Sequence, residues 1–283
     1  FVLMFEKESG VLFLVATPIG NIDDLSSRAM KTLSEVDLVA CEDTRRTGQL
    51  FKRLEIGKAK FLRVDSHTEE IKTAEIVNHI KKGLKVALVS DAGTPSISDP
   101  GERLVKAVIE NGLRVSIIPG PSAAVAALAV SGLPTERWVM EGFLPRKGTS
   151  RKNLLKELTV EERTIIIFES PKRLPSTLLD LEKVMGPTRL VSVIRELTKV
   201  HEEIWRGTLD DAVKYYSEPP KGEIVIVLAG SSGRGTVSDE RISKLIFEAK
   251  KSGATTRDAA EEVARHLSVS RSRAYRLALE EKI

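Results

Sequence analysis

Two α/β domains, the first on a parallel sheet and the second on a mixed one, followed by a small C-terminal helical region, is the architecture this sequence predicts. Three observations predict it. Over residues 11–133, short apolar runs alternate with longer stretches of helical period, the pattern of strands joined by helical crossovers. Over residues 134–230 a second alternation follows. In it, residues 189–207 hold two β-rich runs only a few residues apart, too close for a crossover helix. Beyond GSSGRG at 230–235, a linker by composition, the chain reads as helical. The expected domains are therefore 11–133 and 134–230, with a helical region at 236–283.

In the first domain the apolar runs place strands at about 12–17, 37–41, 60–64, 85–90 and 114–118. Helices fall between them at about 26–36, 45–54, 69–82, 100–111 and 122–131. Residues 1–9 are left out of this reading. Right-handed crossovers then imply a parallel sheet covered on both faces. Four polar or Gly/Pro-rich turns each follow the carboxyl end of a strand: Thr17–Asn21, Glu42–Arg45, Ser90–Gly93 and Pro119–Ser122. They are expected on one sheet edge, where open parallel sheets bind ligands.

The stretch SDAGTPSISDPG, residues 90–101, is the expected floor of that site. Gly93 and Thr94-Pro95 end the strand, since glycine favours bent backbone and proline has no N–H to give. Asp99, Pro100 and Glu102 have the spacing of an N-cap, a first-turn proline and a third-position carboxylate, so the next helix is expected to start there. A turn of small residues leaves backbone polar groups open to a ligand, although an ordinary surface loop has the same composition. No GxxxxGK[ST] occurs, and TPIGN stands where a dinucleotide fold would carry GxGxxG, so a different ligand geometry is implied.

The second domain reads as strands at about 137–142, 163–168, 189–195, 202–208 and 223–229, with helices at about 150–158, 172–185 and 210–216. After its first strand, GFLPRKGTSRK gathers Arg146, Lys147, Arg151 and Lys152 around two glycines. Such a loop can grip phosphates or simply be solvated. The last helices, at about 239–251, 255–266 and 270–281, end in a pair with the length and polarity of a helix-turn-helix. Arg271, Arg273 and Arg276 lie on its second helix, either facing RNA or solvent.

Composition bounds the function. With 283 residues and 41% hydrophobic content the chain is an ordinary globular protein, and no apolar run reaches membrane-span length. No signal peptide is visible. The lone Cys41 excludes an internal disulfide and, with four histidines, argues against a zinc site, so no metal is expected and a cytoplasmic setting fits. A formal net charge of +4 leans weakly towards a polyanionic partner.

The motifs VATPIGN, CEDTRRT, SDAGTPSISDPG, PGPSA, GFLPRK, FESPKR, RELTKVHEE and KGEIVIVLAG occur in the order found in the ribosomal RNA small subunit methyltransferase I family. These are 16S rRNA cytidine-2′-O-methyltransferases of the tetrapyrrole methylase superfamily. The match covers about residues 11–230, and the C-terminal helices also resemble that family's tail. Two positions depart from the pattern: Lys172 stands where histidine is usual, and Cys41 where alanine is common.

The resemblance implies two α/β domains, S-adenosylmethionine folded into the cleft between them, and a homodimer acting on 16S rRNA in the small ribosomal subunit. Carried over by position, the cofactor cradle is Pro18, Ser90, Asp91, Ala92, Gly93, Ile97, Ser122, Ala123, Phe168, Gly222 and Glu223. Polar residues of the same motifs, Glu42, Asp43, Arg45, Arg195, Glu196 and Lys199, are the candidates for moving the 2′-hydroxyl proton. Each is equally suited to an ion pair joining the domains. The same scaffold would also serve a tetrapyrrole methylase, a methylase of a protein acceptor like diphthine synthase, or an RNA-binding protein without activity.

Overall fold

The computed structural model describes residues 10–231 and 239–280, apart from 58, 66, 67, 268 and 270. Residues 1–9, most of the expected linker and part of the turn at 267–270 lie outside the described residues.

The first half runs β1 (Val11–Val15), α1 (Ser27–Glu35), β2 (Leu38–Cys41), α2 (Thr44–Arg53), β3 (Lys60–Arg63), α3 (Glu69–Lys81), β4 (Lys85–Val89), α4 (Glu102–Glu110), β5 (Arg114–Ile118) and α5 (Ala123–Ser131). Its strands pair in the order β3-β2-β4-β1-β5, all parallel, as the helical crossovers require. Apolar side chains fill both faces. Leu12, Val86 and Leu104 share one core, and Val15, Leu33 and Val39 share the other. The turns after β1, β2, β4 and β5 therefore meet along one edge.

The second half runs β6 (Trp138–Phe143), α6 (Thr149–Val160), β7 (Thr164–Glu169), α7 (Leu174–Met185), β8 (Leu190–Arg195), β9 (Glu203–Thr208), α8 (Leu209–Tyr215) and β10 (Ile224–Leu228). Its order is β6-β7-β10-β8-β9, with β6 and β7 parallel and the other pairs antiparallel. The short β8–β9 link produces the expected antiparallel pair. A third core of Ile242, Val263, Leu277 and their neighbours joins α9 (Asp239–Lys251), α10 (Thr256–Leu267) and α11 (Arg271–Glu280).

The two halves are stitched through α5. This helix, AAVAALAVS, is apolar on every side, and it packs Ala124, Ala127 and Leu128 onto Ile166, Ile194, Val225 and Val227 of the second sheet. Arg206 of β9 closes the contact by donating to the Val130 and Ser131 carbonyls at the helix end. At the opposite end of the seam, the Asn21 N–H donates to Thr198 Oγ1 at 3.1 Å. Gly20 sits so close to this turn that a Cβ there would lie 2.5 Å from Lys199 Cγ and 2.9 Å from the Leu197 carbonyl oxygen.

One start signal differs from expectation. Asp99 does not cap α4, which begins at Glu102 after Gly101 at φ +136°. The cap comes instead from α3. The buried Glu69 carboxylate accepts from the backbone N–H groups of Gly101 at 3.0 Å, Arg103 at 3.1 Å and Leu104 at 3.3 Å. A distant carboxylate thus satisfies the helix start, and Asp99 is released to face elsewhere.

Candidate active site

A cavity of about 390 Å³ lies between the carboxyl edge of the first sheet and the second sheet. Its floor is the 90–101 loop. An antiparallel bridge between Thr17 and Gly93 holds the loop under β1, and the Ser90 hydroxyl donates back to the Ala92 and Gly93 carbonyls. Thr94 Oγ1 donates to the Pro121 carbonyl and joins the next turn. Ser96 and Ser98 adopt φ of +67° and +62°, a left-handed backbone uncommon outside glycine, and this winding carries Ile97 and Asp99 to the cavity.

Of the expected cradle, Ala92, Gly93, Ile97, Ser122, Ala123, Phe168 and Glu223 line the cavity. Pro18, Ser90, Asp91 and Gly222 do not, and three of them have visible supporting contacts. Ser90 orders the loop. Asp91 accepts from the Asp43 N–H at 3.3 Å and pairs with Arg46 at 3.3 Å. Gly222, at φ +100°, makes room for Glu196, whose Cγ would lie 2.3 Å from a Cβ there.

None of the six proton-transfer candidates lines the cavity, and most are already engaged. Asp43 is the N-cap of α2, accepting from the Arg45 N–H at 2.8 Å, while Arg45 itself points to the surface. Arg195 binds Glu203 at 2.8 Å and the Lys221 carbonyl at 3.2 Å, tying β8 to β9. Lys199 bridges Glu196 and Glu223, each at 2.9 Å. The Glu223 N–H, and then Lys199, hold the Glu196 carboxyl below the usual carboxylate range. That lowered basicity suits a structural tie better than a proton acceptor. Glu42 is half-buried, and its pKa is raised by burial and by the charges of Asp91 and Asp65.

Of the cavity residues outside the expected cradle, two bear most on the chemistry. Asp99 was assigned to a cap, yet it lines the cavity, and burial, then the neighbouring Glu42 charge, pushes its carboxyl up to about 6. The other is Phe143, which the sequence reading places in the GFLPRKGTSRK loop after the strand and which belongs to β6. For Asp99 the available signal was the pair of small residues around Ile97, which let the chain coil instead of entering a helix. For Phe143 the only local signal is the neighbouring Gly142, a glycine inside a strand.

The basic loop divides. Arg146, Lys147 and Lys152 are exposed, but Arg151 is buried and is corrected from an RNA contact to a structural residue. It donates to Asp180 at 3.0 Å, Thr177 at 3.1 Å and the Pro145 carbonyl at 3.1 Å, locking α6 to α7. Arg151→Ala is expected to cost about 1–3 kcal/mol, because it removes the α6–α7 tie while Asp180 stays partly solvated and Thr177 keeps its bond to Glu169. Denaturant unfolding measures the loss, and a variant as stable as the parent would refute the tie. On α11, Arg271 pairs with Glu261 at 3.0 Å, Arg273 with Asp239 at 2.8 Å, and Arg276 with Glu280 at 3.2 Å. Their charge is largely balanced within the helical region.

A parallel sheet and a mixed sheet meeting over one largely apolar cavity define a protein of two α/β domains with its ligand site at the strand ends. The family model for Tetrapyrrole (Corrin/Porphyrin) Methylases matches residues 11–213. The chain is 45% identical over 274 residues to the ribosomal RNA small subunit methyltransferase I of Synechocystis, covering 96% of this chain and 98% of that protein. It is 48% identical over 222 residues to the Thermotoga maritima protein of the same name, covering 78% of this chain and 99% of that one. Among solved structures, the uroporphyrin-III C-methyl transferase of Thermus thermophilus complexed with S-adenyl homocysteine shares the fold. Its TM-score is 0.56 at 17% identity, over 77% of this chain and 97% of that one. The chain belongs to the ribosomal RNA small subunit methyltransferase I family, within the tetrapyrrole methylases.

Among the described residues no helix is long and apolar enough to cross a membrane, and no group of three His, Cys, Asp or Glu side chains is placed to hold a metal ion.

Proposed function

We propose that this chain transfers the methyl group of S-adenosylmethionine to the 2′-hydroxyl of a cytidine ribose in 16S rRNA of the small ribosomal subunit. The observation that carries the reading is the interdomain cavity, set in a chain 45–48% identical to proteins named as small-subunit rRNA methyltransferases. Its residues fit the cofactor. Phe168, Ile194 and Leu197 offer apolar surface to an adenosine, and Gly93, at φ +81°, takes the left-handed turn that carries the loop along the cavity. When bound, S-adenosylmethionine supplies an electrophilic methyl on a sulfonium.

What the protein must add is alignment, exclusion of water and a home for one proton. Asp99 is the carboxylate best placed for the proton, since it lines the cavity and burial has raised its basicity. Glu196, Lys199 and Glu223 act together as the tie that holds the Leu197 turn against Gly20 and so fixes the cavity wall. Arg146, Lys147 and Lys152 are exposed on the second half's surface and, among the described residues, have no ion-pair partner, which suits them to RNA phosphates.

Labelled methyl transfer from S-adenosylmethionine to small subunits lacking their 2′-O-methylcytidine is expected, with the label at a cytidine ribose. Label on a porphyrinoid or a protein in parallel reactions, and none on RNA, would overturn the acceptor. Absence of cofactor binding by calorimetry would overturn the activity itself.

A further inference from the structure

Phe143 is the largest exposed apolar side chain in the cavity wall. It is 59% exposed, although the strand it pairs with, β7, is largely buried. The strand itself explains this. In β6 the register with β7 slips between Met140 and Gly142, so that Met140 faces Ile166 while Gly142 faces Ile167 and Phe143 faces Phe168. Glu141 is the extra residue of a β-bulge. Side chains alternate along a strand, so one inserted residue moves every later side chain to the opposite face.

Without the bulge, Phe143 would point into the core of the second half, alongside Val139. With it, Phe143 emerges on the cavity face and Leu144 takes the core position, only 2% exposed. The bulge depends on Gly142, at φ +62°, where a Cβ would lie 3.3 Å from Ser98 Oγ of the cavity floor. An ordinary strand would bury this phenylalanine, and here the backbone is bent to expose it.

The ring packs against Phe168 at an interplanar angle of 62°, centroids 5.8 Å apart, and with 59% of the residue exposed much of its surface stays open beside the cavity. Two residues beyond Leu144 come Arg146 and Lys147, both exposed, with Lys152 on the helix that follows. An open aromatic face followed within one loop by cations is the combination that holds a single-stranded nucleotide, the base on the ring and the phosphates on the cations.

We propose that Phe143 is the stacking platform for the base of the acceptor nucleotide, splayed out of its RNA so that its ribose enters the cavity. The assignment rests on the reading of this chain as an rRNA 2′-O-methyltransferase, and it specifies how that acceptor is held. It also gives the bulge a purpose, since the inserted residue is what turns the ring from the core to the substrate.

The test compares the parent protein with Phe143→Leu, Phe143→Ala and Phe143→Trp. The readouts are steady-state methyl transfer to small subunits and calorimetric binding of S-adenosylhomocysteine. Leucine and alanine are expected to lower kcat/KM for the RNA about 10- to 100-fold, tryptophan to restore it to within about threefold, and cofactor affinity to stay within about threefold. A short RNA carrying pyrrolocytidine at the acceptor position should be quenched by the parent and by the tryptophan variant only. Undiminished transfer by Phe143→Leu would overturn the assignment alone, because an apolar filler would then suffice. So would a tenfold loss of S-adenosylhomocysteine affinity in the leucine variant, which would place the ring on the cofactor. A parent protein that methylates no RNA would overturn the functional reading and this assignment with it.

Discussion

Asp99→Asn is expected to lower the rate of methyl transfer by about 10²- to 10⁴-fold, leave cofactor affinity within a few-fold, and raise the melting temperature. The rate falls because the amide cannot accept the 2′-hydroxyl proton. The stability rises for an electrostatic reason. Burial, then the Glu42 charge, pushes the Asp99 carboxyl up to about 6 from 3.8, with Asp91 adding to the push and the Ser90 hydroxyl opposing it. A folded-state pKa above the unfolded one means that the folded protein binds the proton more tightly. Stability is therefore lost as pH rises from about 4 to about 6, and asparagine, neutral throughout, escapes the loss.

The melting difference between variant and parent should be near zero at pH 4 and positive at pH 7. Parent turnover should rise through a limb near pH 6 that is missing from the variant's residual activity. The facing groups complicate only the position of that limb. Glu42 and Asp91 are themselves pushed up by burial, while Arg46 pulls Asp91 down. Wild-type turnover in Asp99→Asn would remove Asp99 from the chemistry. An unshifted melting temperature at pH 7 would show that its charge is not under strain.

Glu69→Ala is expected to be among the most destabilising single substitutions outside the hydrophobic cores. One buried carboxylate oxygen takes three backbone N–H groups at the start of α4, and alanine would leave all three without a partner. A stranded buried donor costs about 1–3 kcal/mol, and water can reach part of this helix end, so a total of about 2–4 kcal/mol is expected. Glu69→Gln keeps an acceptor oxygen and should lie within about 1 kcal/mol of the parent. Because the same contact fixes where Gly101 ends the 90–101 loop, the alanine variant should also bind S-adenosylhomocysteine more weakly. Unfolding by denaturant and calorimetry read the two effects. An alanine variant with parental stability would mean that α4 finds its cap elsewhere.

Much of this protein is legible along the chain because its elements are local. The apolar runs of β1 to β5 and the helical periods between them depend on neighbours one to four residues away, so their positions follow from the sequence alone. The direction of strand pairing is also local information, since it depends on connection length. The helix-containing connections between successive strands leave β1 to β5 parallel, whereas the tight β8–β9 link can only be antiparallel. From parallel strands the ligand edge follows, and with it seven of the eleven expected cradle residues at the cavity.

What the tertiary structure alone decided is which side chain answers which. Asp99 had a plausible local partner in the helix start, but Glu69, 32 residues before Gly101, took that role and freed Asp99 for the cavity. Arg151 looked like its basic neighbours and was drawn inward by Asp180 and Thr177 from another helix. Glu196 and Lys199 carried charges fit for chemistry and spent them on each other and on Glu223. The bulge at Glu141 reversed the facing of Phe143, and its only local sign is Gly142 within the strand. Periodicity encodes backbone geometry within a few residues, whereas a side chain's partner is set by which distant segment folding brings within hydrogen-bond reach, and the strongest available partner wins.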